Sequence, residues 1–248
     1  MSKIRVGIDV DEVLRSKWLQ FDRFYVQEFG EEKLKKEPEY SYDFWNDYPW
    51  EDTVEVEKEL KEPEEMPDNI NPIHYQVDKN GEADADSFLF KETKEIKLTA
   101  REVFNRFIYQ DFLFEIFGAA PKLYPQLDLD VNNFLEKYQN TVDFTILSIE
   151  NKFSIPPTLF FLSKISSRFK KYEFLEKSID KWKNVDVLIT TDPEIIKLGV
   201  PWGKKLIKLR RPFNDKLKSG TLDVLQIVEL IENVEFQKII KYKNKKIK

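Results

Sequence analysis

From residue 142 onward, short apolar runs alternate with helical segments, and this alternation restricts the chain more than any other feature. "FTILSI" (144–149), "YEFL" (172–175), "VDVLIT" (185–190) and "KLIKL" (205–209) are brief, apolar and bounded by polar turns, as buried strands are. Between them lie a helix opened by Pro156 and Pro157 and a short helix after Asp192, and "LDVLQIVELIENV" (222–234) reads as a closing helix. Near the start, "KIRVGIDV" (3–10) supplies one more strand, ended by acids. It leads into a helix with Trp18, Phe21, Tyr25 and Phe29 on one face and Gly30 at its stop. Strands alternating with helices fold into a parallel sheet covered on both faces, so the expected class is α/β, doubly wound.

Residues 31–98 break the pattern. They mix Pro, Glu and aromatic residues without periodicity and hold 21 acidic and 9 basic residues, net −12. The remainder holds 24 and 31, net +7. So long a structureless loop inside a compact domain is unexpected, and an inserted acidic cap or partner-binding arm fits better. The aromatics of "YSYDFWNDYPW" (40–50) suit either packing onto the core or docking to a protein partner through residues 38–60. Order returns at "LTAREVFNRFIYQDFLFEIFG" (98–118), a helix apolar on most sides, with a capping box at Thr99 and Glu102 and a stop at Gly118. "DLDVNNFLEKY" (128–138) is a further helix, with Asp128 or Asp130 as its cap. The expected division is a core of 1–30 and 121–235, an insert of 31–120, and a Lys-rich tail of 236–248.

Composition removes several chemistries. The chain has no Cys, hence no disulfide, thiolate nucleophile or Cys-bound zinc. His74 is its one histidine, which rules out His-based triads and multi-His metal sites and leaves carboxylates and Lys as the acid/base inventory. No apolar run approaches the ~20 residues of a membrane helix, and no basic segment with an apolar stretch opens the sequence, so a cytoplasmic protein is expected. The net charge of −5 argues against general nucleic-acid affinity, although six Lys among the last eleven residues could contact phosphates.

In a doubly wound sheet, ligands bind at the carboxyl ends of the strands, near the point where the winding reverses. Those ends carry Asp9 and Asp11, Ser148 (or Thr145), Lys177 and Asp192. Two carboxylates, a hydroxyl, an ammonium and a third carboxylate are the inventory for phosphoryl transfer through an aspartyl-phosphate. One Asp attacks phosphorus, the other protonates the leaving alcohol, and a carboxylate-bound Mg²⁺ screens the repulsion between anions.

The ordered set "IDVDEVLRSKWLQFDRFYVQEFG", "FTILS", "EKS", "VDVLITTDPEII" and "RPFN" resembles the haloacid dehalogenase superfamily, in particular its 5′(3′)-deoxyribonucleotidase-like branch. The likeness covers about residues 3–30 and 142–215. It implies a Rossmann-like core, with Asp9 as nucleophile and metal ligand and Asp11 as general acid/base with its carbonyl on the metal. It makes Ser148 and Lys177 the phosphate-binding groups, Asp192 a further ligand to Mg²⁺, and a small phosphomonoester, of (deoxy)nucleotide type, the substrate. The sequence departs from the family in three places. Thr190 and Thr191 stand where two consecutive acids would bind the metal, Glu12 stands where Gly is frequent, and Ser16 replaces an Asp. The alternative is a catalytically inactive member with a structural or binding role, such as a phage virion or accessory component.

Overall fold

The computed structural model describes residues 3–33, 48–60, 90–218 and 220–242. It divides into two units, Met1–Pro49 with Arg106–Lys248, and Trp50–Asn105. The second unit and the insert expected over 31–120 thus share residues 50–105. His74 and the last six residues of the Lys-rich tail lie outside the described residues.

In the larger unit β1 (Ile4–Asp9) is the central strand and leads to α1 (Lys17–Phe29). The smaller unit carries β2 (Thr53–Leu60) and β3 (Phe90–Leu98), an antiparallel pair in which Thr53 lies opposite Leu98. The stretch that reads as an arm without periodicity therefore contains a two-stranded sheet. Alternating Val and charged residues over 53–60 are its trace in the sequence.

After α2 (Ala100–Arg106) and α3 (Leu113–Phe117), the larger unit continues with α4 (Leu127–Tyr138), β4 (Val142–Ile149), α5 (Ile155–Ile165), β5 (Tyr172–Leu175) and β6 (Val187–Thr190). It ends with α6 (Pro193–Leu198), β7 (Lys205–Leu209), β8 (Leu222–Val224), α7 (Glu229–Glu232) and α8 (Val234–Tyr242). Six strands form one parallel sheet in the order β5-β4-β1-β6-β7-β8. The chain winds outward from β1 through β4 to β5, then crosses back to β6 and winds the other way. The reversal falls between β1 and β6, where such sheets place their sites.

The fold is the α/β doubly wound class that the alternation predicts. Three local expectations change. Leu222–Val224, expected within a helix, is the sixth strand: it pairs with β7, Leu222 beside Ile207 and Val224 beside Leu209, and this pairing satisfies its backbone where three residues are too few to form a helix. Asp128 and Asp130 sit inside the first turn of α4, where they favour the helix dipole without capping; Gln126 precedes the helix. Phe236 and Ile240, placed in the tail by sequence, are buried core residues of α8.

Burial on two faces explains the apolar strands. Ile4, Val6 and Ile8 of β1, with Val187 and Ile189 of β6, pack under α4, α5 and α8. Leu147, Leu188 and Leu206 face the opposite layer, with Trp182 and Ile195. The long apolar segment 98–118 is not one helix. A wider π turn at Phe107–Asp111, closed by the Phe112 N–H on the Phe107 carbonyl at 3.0 Å, separates α2 from α3. Phe107 there meets Phe21 and Phe29 at ring separations of 5.3 and 5.6 Å. Tyr48, from the aromatic-rich stretch, packs on Phe21 and Tyr25 at 4.6 and 4.7 Å, which is the core-packing alternative for that residue.

Gly7, in the middle of β1, is a close-approach glycine: a Cβ there would lie 2.5 Å from Leu147 Cδ1 and 2.9 Å from Val185 Cγ1, both fully buried. Gly7→Ala overpacks this layer and is expected to lower stability by about 1–3 kcal/mol. Urea unfolding checks it, through a lower midpoint at unchanged slope.

Candidate functional site

Beyond Asp9 the chain leaves the sheet in a tight loop. The Leu14 N–H returns to the Val10 carbonyl at 2.8 Å, and the Glu12 N–H reaches the Arg15 carbonyl at 2.8 Å. Glu12 takes φ +56°, the left-handed region that a side chain disfavours. Its carboxylate accepts the Trp18 N–H at 2.9 Å, holding the loop against the start of α1. On the far side, the buried Asn214 of "RPFN" donates to the carbonyls of Thr191 and Leu209 at 2.9 and 3.0 Å, and Arg211 donates to the Glu12 carbonyl at 2.9 Å. The loops after β1, β6 and β7 are thereby tied together.

Inside this frame lie two ionic groups. In the first, the Lys181 ammonium bridges Asp9 Oδ2 at 2.5 Å and Asp192 Oδ2 at 2.9 Å, all three residues being at most 1% exposed. The Thr190 hydroxyl donates to Asp9 Oδ2 at 2.6 Å, and the Val10 N–H to Asp9 Oδ1 at 3.1 Å. Asp192 Oδ1 accepts the N–H groups of Glu194 and Ile195 at 2.9 and 3.3 Å as the cap of α6. Although Asp192 falls one residue late in the family pattern, it reaches the same ammonium as Asp9. Burial pushes the Asp9 carboxyl above its usual range, with Lys181 opposing and Asp192 adding to the rise.

The second group surrounds Asp11. Arg15 Nε donates to Asp11 Oδ1 at 2.6 Å, and the Lys17 ammonium pairs with Asp11 Oδ2. Arg15, fully buried, also donates to Glu150 Oε1 at 2.7 Å, Thr158 Oγ1 at 2.7 Å and the Phe117 carbonyl at 2.9 Å. Glu150 accepts Ser148 at 2.9 Å and Thr158 at 2.8 Å on the same oxygen, and Ser154 at 2.5 Å on the other. Burial alone would raise the Asp11 carboxyl; Arg15 and Lys17 outweigh it and hold it at about 2.

The strand ends thus bring Asp9 and Asp192 to one ammonium, while Asp11 and Ser148 join the Arg15–Glu150 network. Lys177 does not join either group. Its side chain is exposed one residue before the short 3₁₀ turn Ser178–Trp182, and Lys181 in that turn supplies the buried cation instead. "EKSIDKW" offers both lysines; the turn carries the second one inward and leaves the first on the surface. Arg15, Lys17, Ser154 and Thr158 escape a reading of strand ends because they lie in loops and on helix faces, whereas Glu150 directly follows β4 and is as open to that reading as Asp192. Arg15 four residues after Asp11 is the one spacing that hints at the pair.

Mg²⁺, which the family resemblance implies, does not fit this donor set. Asp9 Oδ2 and Asp192 Oδ2 already face the Lys181 ammonium, and the Asp11 carbonyl, the atom the resemblance assigns to the metal, already accepts the Thr191 hydroxyl. Among the described residues, no three His, Asp or Glu side chains group as metal ligands.

No family model matches the sequence, and no curated protein matches it. Among solved structures, the chain is similar to a presumed haloacid dehalogenase-like hydrolase of Burkholderia xenovorans LB400, at 13% identity and a TM-score of 0.49. The alignment covers 94% of this chain and 97% of that one. Among the described residues no helix is long and apolar enough to cross a membrane.

Two outcomes follow for stability. Arg15→Met leaves Asp11 and Glu150 buried with less compensation and should cost about 3–5 kcal/mol by urea unfolding; adding Glu150→Gln should recover part of it. Burial raises the Glu12 carboxyl from 4.5 to about 7, against the Trp18 N–H bond. An acid whose folded pKa is raised is most favourable when protonated, so its contribution is full below pH ~4.5 and is lost as pH climbs through about 7. Glu12→Gln should therefore gain on the wild type across that window, by about 3 kcal/mol at pH 8. Thermal unfolding of the pair of proteins between pH 4 and 8 reads it.

Proposed function

We propose that this chain is a catalytically inactive haloacid dehalogenase-like module with a structural or binding role, such as a phage virion or accessory component. The observation that carries this reading is the pairing of both Asp11 oxygens with Arg15 and Lys17. A general acid must carry a proton near neutral pH and release it to the leaving alcohol. A carboxyl held at about 2 by two adjacent cations does neither. Ser148 adds support, since its hydroxyl donates to Glu150 within the Arg15 network. In this role the protein would meet its partner through the acidic, aromatic-rich stretch 38–60, of which residues 38–47 lie outside the described residues.

One observation favours a second reading, a phosphatase acting on a small phosphomonoester such as a (deoxy)nucleotide, without the Mg²⁺ dependence that the resemblance implies and the donor set does not fit. Lys181 lies 2.5 Å from Asp9 Oδ2 at the winding reversal, an anionic nucleophile beside a cation able to draw in a phosphate. In that reaction an Asp9 oxygen bonds to phosphorus as the bond to the ester oxygen breaks, the departing alkoxide taking a proton from solvent; water then attacks phosphorus and releases inorganic phosphate and the Asp9 carboxylate.

Hydrolysis of p-nitrophenyl phosphate and of deoxynucleoside monophosphates, assayed with Mg²⁺, separates the two. The wild type is expected to show no turnover above an Asp9→Asn control of equal fold content by circular dichroism. Turnover that the substitution removes would overturn the inactive reading.

A further inference from the structure

We infer that the centre between β1 and β6 is assembled without a divalent cation, with Thr190, Thr191 and Lys181 doing the work a metal would otherwise do. The inference concerns metal binding alone and holds whether or not Asp9 turns over.

It rests on the direction of the hydrogen bonds. The Thr190 oxygen accepts the Asp192 N–H at 3.0 Å, so its single proton is directed to Asp9 Oδ2 at 2.6 Å. The Thr191 hydroxyl donates to the Asp11 backbone carbonyl at 3.1 Å. Asp9 and the Asp11 carbonyl are two oxygens that the family resemblance would assign to the metal. The two threonines that replace the acid pair each deliver a proton to one of them. A position that would add a negative ligand instead supplies a positive hydrogen end, and it does so twice in succession. Both threonines are fully buried, which fixes these hydroxyls away from competing water.

Charge points the same way. With acids at residues 190 and 191, Asp9 and Asp192 would sit among two more carboxylates, which a single ammonium could not balance. With threonines there, Lys181 contacts both Asp9 and Asp192. Mg²⁺ requires near-octahedral oxygens at about 2.1 Å and parts reluctantly with its own water. Entry at Asp9 and the Asp11 carbonyl would set it beside the Lys181 ammonium and in competition with the Thr190 and Thr191 hydroxyls for the same oxygens.

The test is a titration of the full chain with Mg²⁺, and separately Mn²⁺, by calorimetry and by thermal unfolding. The expected result is no saturable binding heat at millimolar metal and the same Tm in metal and in EDTA. A metal present at about a hundredfold its Kd would raise Tm by several degrees. Such a rise, abolished by Asp9→Asn, would overturn the inference. The double variant Thr190→Asp/Thr191→Asp should acquire a metal-dependent rise in Tm. If it does not fold, the wild-type titration decides alone. EDTA-resistant turnover dependent on Asp9 would overturn the inactive reading and leave this inference standing, while metal binding without turnover would do the reverse.

Discussion

A carboxylate withdrawn from water must find positive charge, and at the winding reversal that charge is the Lys181 ammonium between Asp9 and Asp192. Much of the centre depends on this bridge. It ties the end of β1 to the start of α6 and draws the 178–182 turn to the carboxyl ends of β1 and β6. Asn214 locks the same loop by its bond to the Thr191 carbonyl, and Arg211 joins it to Glu12.

The second ionic group is built on the same logic with another cation. Arg15 satisfies Asp11, Glu150, Thr158 and the Phe117 carbonyl at once, which is the kind of forked, multi-acceptor contact for which a guanidinium is suited. Its Cζ also lies 5.2 Å from the centre of the Phe117 ring, so the cation is covered by an aromatic as well as paired. An ion network of this kind adds little net stability compared with an apolar replacement, yet removing one member is costly. Such a network fixes one arrangement of the loop after β1.

Much of this was legible in the sequence. The strands of 142–209 declare themselves because burial on both faces demands unbroken apolar runs, and Asp9, Asp11 and Asp192 are visible because acids ending such runs are few. Asn214 is visible through "RPFN". Other features were not legible, for physical reasons. Leu222–Val224 is too short for periodicity to tell strand from helix, and only its pairing with β7 decides. Lys177 and Lys181 differ in which side of a 3₁₀ turn they occupy, which no spacing rule reports. Arg15 reads as a surface residue, since full burial of a guanidinium depends on acceptors from residues 11, 117, 150 and 158 that meet only in the fold.

The central claim is that protein cations and hydroxyls, rather than a bound metal, neutralise the strand-end carboxylates. Crystals soaked in MnCl₂ and measured at a wavelength where manganese scatters anomalously examine it atom by atom. The account predicts no anomalous peak beside Asp9 and Asp192, with the Lys181 ammonium in density between them. A peak at about 2.1 Å from the Asp9 and Asp192 oxygens, with Lys181 displaced, would contradict it.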